Sequence, residues 1–231
     1  MSDWALLRQV VLATADIAAD DHFLREHYGL GTGFADPELA AIGMADDTLA
    51  LAGGSYLELV APLWPDVSIA RWLAKRGPGG YALSVQHSDP LAARDRALAL
   101  GVRVVADQLV MGHPIVQLHP ADVGLRLELD GIADRDAWFW DGLGVDPSPH
   151  ALIDDVVAVE VPVPDPEATV KQWAQILGYD AAAADTIDLG GRTVRFRPAD
   201  EHSRWTITLL RSALGTALRE ETLLGVRCRY R

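Results

Sequence analysis

Two glutamates set in the same apolar frame are the residues best placed for chemistry. Glu58 lies in Leu57-Glu-Leu59 and Glu128 in Leu127-Glu-Leu129. Side chains of a strand alternate between faces, so each glutamate points away from its two leucines. If that face is closed off from water, the carboxyl pKa rises and the group becomes suited to taking a proton. If it is open, the glutamates are the wet side of a one-sided sheet. Arg126 and Asp130 share the parity of Glu128. The planar fork of Arg126 suits a substrate carboxylate, phosphate or enolate oxygen. Pairing with Glu58, Glu128 or Asp130 is its structural alternative. Gln117 and His119 share a face on a segment that ends at Pro120. There His119 is placed for acid–base work at a rim or simply for a turn.

The elements that must hold these residues repeat. A strand, an Asp, a helical stretch and a Gly recur three times, at Asp16–Gly29, Asp89–Gly101 and Asp165–Gly178. An Asp N-cap accepts free N–H groups of the first turn, and a Gly takes the left-handed position that ends a helix. The first module spans about residues 6–62. It has a strand over 7–14, a helix over 16–28, and short strands over 40–44, 48–52 and 56–61. Asp46-Asp47 and Gly53-Gly54 are read as its turns. The second spans about 79–130, with a strand over 81–86, a helix over 90–100 and further strands up to 125–129. A short helix over 68–75 decorates the connection. The third begins near 150, with a strand over 156–161, a helix over 167–177, later strands, and an extra helix over 213–221. Residues 132–149, with Trp138 and Trp140, read as a linker docked by its aromatics.

Paired βαβββ modules with this spacing resemble the vicinal oxygen chelate superfamily, which includes glyoxalase I, methylmalonyl-CoA epimerase, extradiol dioxygenases and bleomycin-resistance proteins. The likeness is carried by Leu7-Arg-Gln-Val-Val-Leu-Ala-Thr-Ala-Asp16, Tyr56-Leu-Glu-Leu-Val-Ala-Pro62, Gly79-Gly-Tyr-Ala-Leu-Ser-Val85 and the stretch from Gln117 to Leu129. It covers residues 6–131, and its last stretch looks most like the epimerase branch. The resemblance implies an α+β fold in which two modules close a glyoxalase-like cup, with a third related module over 150–231. It also implies four ligand positions, at Gln9, Glu58, Gly80 and Glu128. Three of them, Gln9, Glu58 and Glu128, would hold a divalent metal. The separations match, 49 residues from Gln9 to Glu58 and 48 from Gly80 to Glu128. Gly80 stands where the family carries His and has no ligating atom. An all-oxygen set suits Mg²⁺, Mn²⁺ or Ca²⁺ better than Zn²⁺.

Two functions follow. One is an isomerase or lyase acting on a small carbonyl or carboxylate compound, with Glu58 and Glu128 moving a proton and Arg126, Gln117 and His119 binding substrate. The other is a metal-free binding or sequestering protein of the bleomycin-resistance type. Lys and Arg number 20 against 33 Asp and Glu, a net charge of −13. That balance opposes nucleic acid or anionic membrane as partner. One cysteine, Cys228, leaves no disulfide within the chain, and no leader or membrane span is read, so a cytoplasmic protein is expected. With three modules one is left over. Its strand face, including Val157, Val159 and Val161, is expected to pair with a symmetry mate in a homodimer; the alternative is that it packs back over the first two modules with Trp138 and Trp140 as the seam.

Overall fold

The computed structural model describes residues 3–179, 185–200 and 203–231. Met1 and Ser2, part of the terminus read for a leader, lie outside them. The elements in chain order are β1 (Ala5–Ala13), α1 (Ile17–Tyr28), α2 (Pro37–Ala41), β2 (Met44–Ala50), β3 (Tyr56–Pro62), α3 (Ser68–Arg76), β4 (Gly79–His87), α4 (Pro90–Ala99), β5 (Val104–Val110), β6 (His113–Leu118), α5 (Pro120–Val123) and β7 (Arg126–Asp130). The rest are β8 (Ile153–Val163), α6 (Pro166–Leu177), β9 (Thr186–Asp188), β10 (Thr193–Pro198), β11 (Thr206–Arg211), β12 (Glu221–Leu223) and β13 (Val226–Tyr230). This is the α+β fold expected, with two βαβββ-like modules.

The three capping aspartates act as their positions dictate. Asp16 accepts from the Ala19 amide at 3.1 Å, Asp89 from Ala92 at 2.9 Å and Asp165 from Ala168 at 2.9 Å. Gly29 and Gly178 end their helices in the left-handed region, at φ 66° and 74°, which a side chain would strain. Two local expectations fail. Residues 37–41 form helix α2, started by the Asp36 cap and by Pro37 in the first turn, so no strand covers 40–44. Asp46 and Asp47 lie inside β2 rather than in a turn. The first module therefore has three strands, and a single bridge from Phe34 to Thr48 stands where a further strand would run.

The chain divides into two compact units, each assembled from three stretches. One comprises residues 1–8, 82–139 and 158–203. In it β4 runs parallel to β7, which pairs antiparallel with β6, and β6 with β5. There too β8 runs parallel to β10, with β9 antiparallel at its side. Leu83, Val85, Leu127 and Leu129 fill its core with Trp173 of α6. The Trp173 indole donates to the Val123 carbonyl at 2.9 Å, and its ring meets Phe196 edge-on at 5.0 Å.

The other unit comprises residues 9–81, 140–157 and 204–231. There β1 runs parallel to β3, and β2 antiparallel to β3. The ladder of β11, β13 and β12 repeats that pattern: β11 is parallel to β13, and β12 is antiparallel to it. No helix separates β11 from β12, and the helix expected over 213–221 does not form. Leu24 and Tyr28 of α1 line an apolar pocket shared with Leu12 and Leu57 on one side and Ile207, Val226 and Cys228 on the other. One helix thus serves two ladders. The pairing unit βαββ occurs at β1–β3 and β8–β10, and β11–β13 is its helixless counterpart. With β4–β7, where β4 is parallel to β7 and β7 antiparallel to β6, the described residues hold four such units. On the face expected to meet a symmetry mate, Val159, Val161, Phe196 and Ile207 are buried within the chain and Val157 is half-buried.

Candidate functional site

The register shows which face each candidate takes. In β7, Leu127 and Leu129 are fully buried while Arg126 and Glu128 are half-buried on the opposite face. Ser84 and Gln117 stand opposite Glu128 on the flanking strands. The Gln117 amide donates to Glu128 Oε2 at 2.5 Å, and its carbonyl oxygen accepts from Arg126 Nη1 at 3.0 Å. Gln117, Arg126 and Glu128 thus form one hydrogen-bonded group. Burial pushes the Glu128 carboxyl above the usual range, against the lowering pull of Gln117 and of the Arg126 charge. Beside them Ser84 donates to Asp130 at 2.5 Å. His119 has a different place. It caps α5, accepting the Ala121 amide at 3.2 Å, and its ring lies 3.1 Å from an Arg103 nitrogen. That is the turn role open to it in the sequence.

In the other unit Gln9 and Glu58 meet directly. Gln9 Nε2 donates to Glu58 Oε2, and both side chains are buried. Gln9 Oε1 accepts the indole N–H of Trp140 at 2.9 Å. The Trp140 ring lies 4.9 Å from that of Phe34. Thr48 pairs with Glu58 across β2 and β3. Its hydroxyl is fully buried and has no hydrogen-bond partner among the described residues.

The metal expectation can be tested on these donors. In β1 and β3, Gln9 precedes by two residues the position opposite Glu58. The residue of β4 standing in the same relation to Glu128 is Ala82, two residues before Ser84. Neither Ala82 nor Gly80 brings a ligating atom. At Gly80 a β-carbon would lie 2.0 Å from the Trp205 ring, so no histidine fits there. Gln9, for its part, turns an N–H and not an oxygen toward Glu58. Among the described residues no group of three or more His, Cys, Asp or Glu is arranged to hold a metal. As placed, these side chains do not present the donor set that a divalent metal requires.

Sequence reasoning missed an acidic group on β2. Asp46 is buried and takes the Asp36 amide with both oxygens, at 3.0 and 3.1 Å. Burial, with the Asp36 and Asp47 charges, pushes it up to about 7. Asp47 faces Asp21 of α1, and burial together with that neighbour pushes it up to about 6. Both groups bind a proton more tightly folded than unfolded. Their stabilising effect is therefore complete below about pH 4 and is lost as pH rises through about 6–7. Asp47→Asn should raise the melting temperature at pH 8 by roughly 2–6 °C, about 1–2 kcal/mol after allowing for solvent screening, and leave it unchanged near pH 4. Thermal melts at the two pH values check this.

No protein-family model matches the chain, and no curated protein matches it. Solved structures do. Methylmalonyl-CoA epimerase from Mycobacterium tuberculosis matches at 30% identity over 56% of this chain and 89% of that one, with a TM-score of 0.50. A methylmalonyl-CoA epimerase in complex with methylmalonyl-CoA and NH4+ matches at 29% identity, over 57% of this chain and 96% of that one, with a TM-score of 0.48. A Streptomyces coelicolor epimerase variant in complex with 2-nitronate-propionyl-CoA matches at 29% identity, over 55% and 97%, with a TM-score of 0.48. The chain belongs to the vicinal oxygen chelate superfamily.

Proposed function

We propose that this chain is an isomerase-type enzyme that moves a proton on a small carbonyl or carboxylate compound. Superfamily membership and the likeness to an epimerase support the reaction class. The observation that carries the residue assignment is Glu128: a carboxyl raised by burial, tethered by Gln117 and accompanied by Arg126. A raised carboxyl is the stronger base when ionised, closer in pKa to the carbon acid it must deprotonate. Glu128 takes the proton α to the carbonyl, and the Arg126 guanidinium stabilises the enolate oxygen. Glu58, held by Gln9 in the other unit, is assigned the same proton-moving role there. Gln117 orients both Glu128 and Arg126, and His119 is the outermost substrate contact. The reading extends to a cytoplasmic homodimer. Edge strand β5, with exposed Val105 and Leu109, supports the dimer. Among the described residues no helix is long and apolar enough to cross a membrane.

The test is proton exchange. Methylmalonyl-CoA, related acyl thioesters and 2-oxo acids are incubated with the protein in D2O, and the α-proton signal is followed by NMR. Protein-dependent loss of that signal is expected for at least one of them. Its absence across the set, with tight binding retained, would establish the sequestering alternative. That second reading draws on Gln9 and Glu58, whose polar atoms are bonded to each other.

A further inference from the structure

We infer that Trp140 is a positioning residue that makes the Gln9–Glu58 pair a hydrogen-bonded carboxylate site in place of a metal half-site; the catalytic consequence rests on the function proposed above. The argument starts from donor chemistry. An indole nitrogen only donates. The Gln9 atom 2.9 Å from Trp140 Nε1 must therefore be the amide oxygen. The other amide atom is then nitrogen, and that atom faces Glu58 Oε2. Trp140 thus fixes which way round the amide sits. Rotated by half a turn, Gln9 would put N–H against N–H at the indole and oxygen against carboxylate at Glu58. Both buried contacts would become repulsive, at a cost of ~1–3 kcal/mol for each group left unsatisfied.

This orientation has a chemical outcome. A cation shared by Gln9 and Glu58 needs both residues to turn oxygen toward it. Here the amide gives Glu58 a proton donor at that point. The indole is itself held, by the Phe34 ring at 4.9 Å, and Phe34 is tied to Thr48 by the bridge between their backbones. The Gln9 amide, and with it its bond to Glu58 Oε2, is thereby held in one direction by a chain of contacts that begins in the segment after the second module.

The experiment follows side-chain amide hydrogens by ¹⁵N NMR in the full-length protein, with the Gln9 signal assigned by its loss in Gln9→Ala. In the wild type the Gln9 NH2 and the Trp140 indole N–H should exchange at least 100-fold more slowly than free side chains. Trp140→Phe keeps a ring against Phe34 but removes the N–H. Gln9 protection should then fall at least 10-fold, and kcat for α-proton exchange should fall about 10-fold with KM unchanged. Unprotected Gln9 hydrogens in the wild type, or protection unchanged in Trp140→Phe, would overturn the inference. If Trp140→Phe does not fold, the wild-type protection decides. If wild-type protein shows the protection but no substrate exchange, the proposed function fails while the positioning role stands.

Discussion

Glu128→Gln is expected to lower α-proton exchange by about 10²–10³-fold while leaving the fold intact. The substituent is nearly isosteric and keeps one oxygen to accept the Gln117 amide, whose tether measures 2.5 Å. What it removes is the basic oxygen, and a positioned general base contributes on the order of 10²–10⁴ in rate. The same change should raise stability slightly at pH 8. Burial raises the Glu128 carboxyl, so its ionised form destabilises the folded state above that value. Loss of exchange with an unchanged or higher melting temperature would assign Glu128 to chemistry. Retention of more than a tenth of the wild-type kcat would place the base elsewhere. The pH profile offers a second readout: kcat should rise with pH through a value above the usual carboxylate range.

The largest stability effect is expected at Trp173. Its side chain is fully buried, its indole donates to the Val123 carbonyl, and its ring meets Phe196. Trp173→Ala should cost about 4–5 kcal/mol, most of it from the cavity and roughly 1 kcal/mol from the orphaned carbonyl. Over a chain of this size that lowers the melting temperature by roughly 10–15 °C. Trp173→Phe keeps most of the volume and should cost only about 1–2 kcal/mol. Denaturant or thermal unfolding of the pair separates packing from the hydrogen bond. Equal losses in the two variants would show that the bond, not the volume, is what matters.

What the sequence disclosed was local. The caps Asp16, Asp89 and Asp165 needed only their own first turns, and the alternation around Glu128 needed only its own strand. The Asp36–Pro37 start was also local and was passed over, because residues 40–44 read as one more strand of the repeat. Asp46-Asp47 read as a turn because carboxylates are poor strand formers; the packing that places them in β2 comes from elsewhere in the chain. Residues 213–221 have helix-forming composition, yet the chain there only carries β11 over to β12, and propensity yields to tertiary context. The bond from Trp140 to Gln9 joins residues 131 apart. No spacing rule reaches that far, so Trp140 read as a packing anchor and Gln9 as a ligand.

The helixless repeat bears on how the protein is made. Leu24 and Tyr28, the buried residues of helix α1, share an apolar pocket with Leu12 and Leu57 and with residues between 207 and 228. A nascent chain emerging from the ribosome produces α1 early, but most of that pocket's lining, from Ile207 to Cys228, is synthesised nearly two hundred residues later. Until then Leu24 and Tyr28 lack their second wall, and the unit holding Gln9 and Glu58 cannot close. Folding dominated by such distant contacts is slow and leaves apolar surface waiting. The first module, although it resembles an autonomous building block, should be a client of holding chaperones until residues 204–231 arrive.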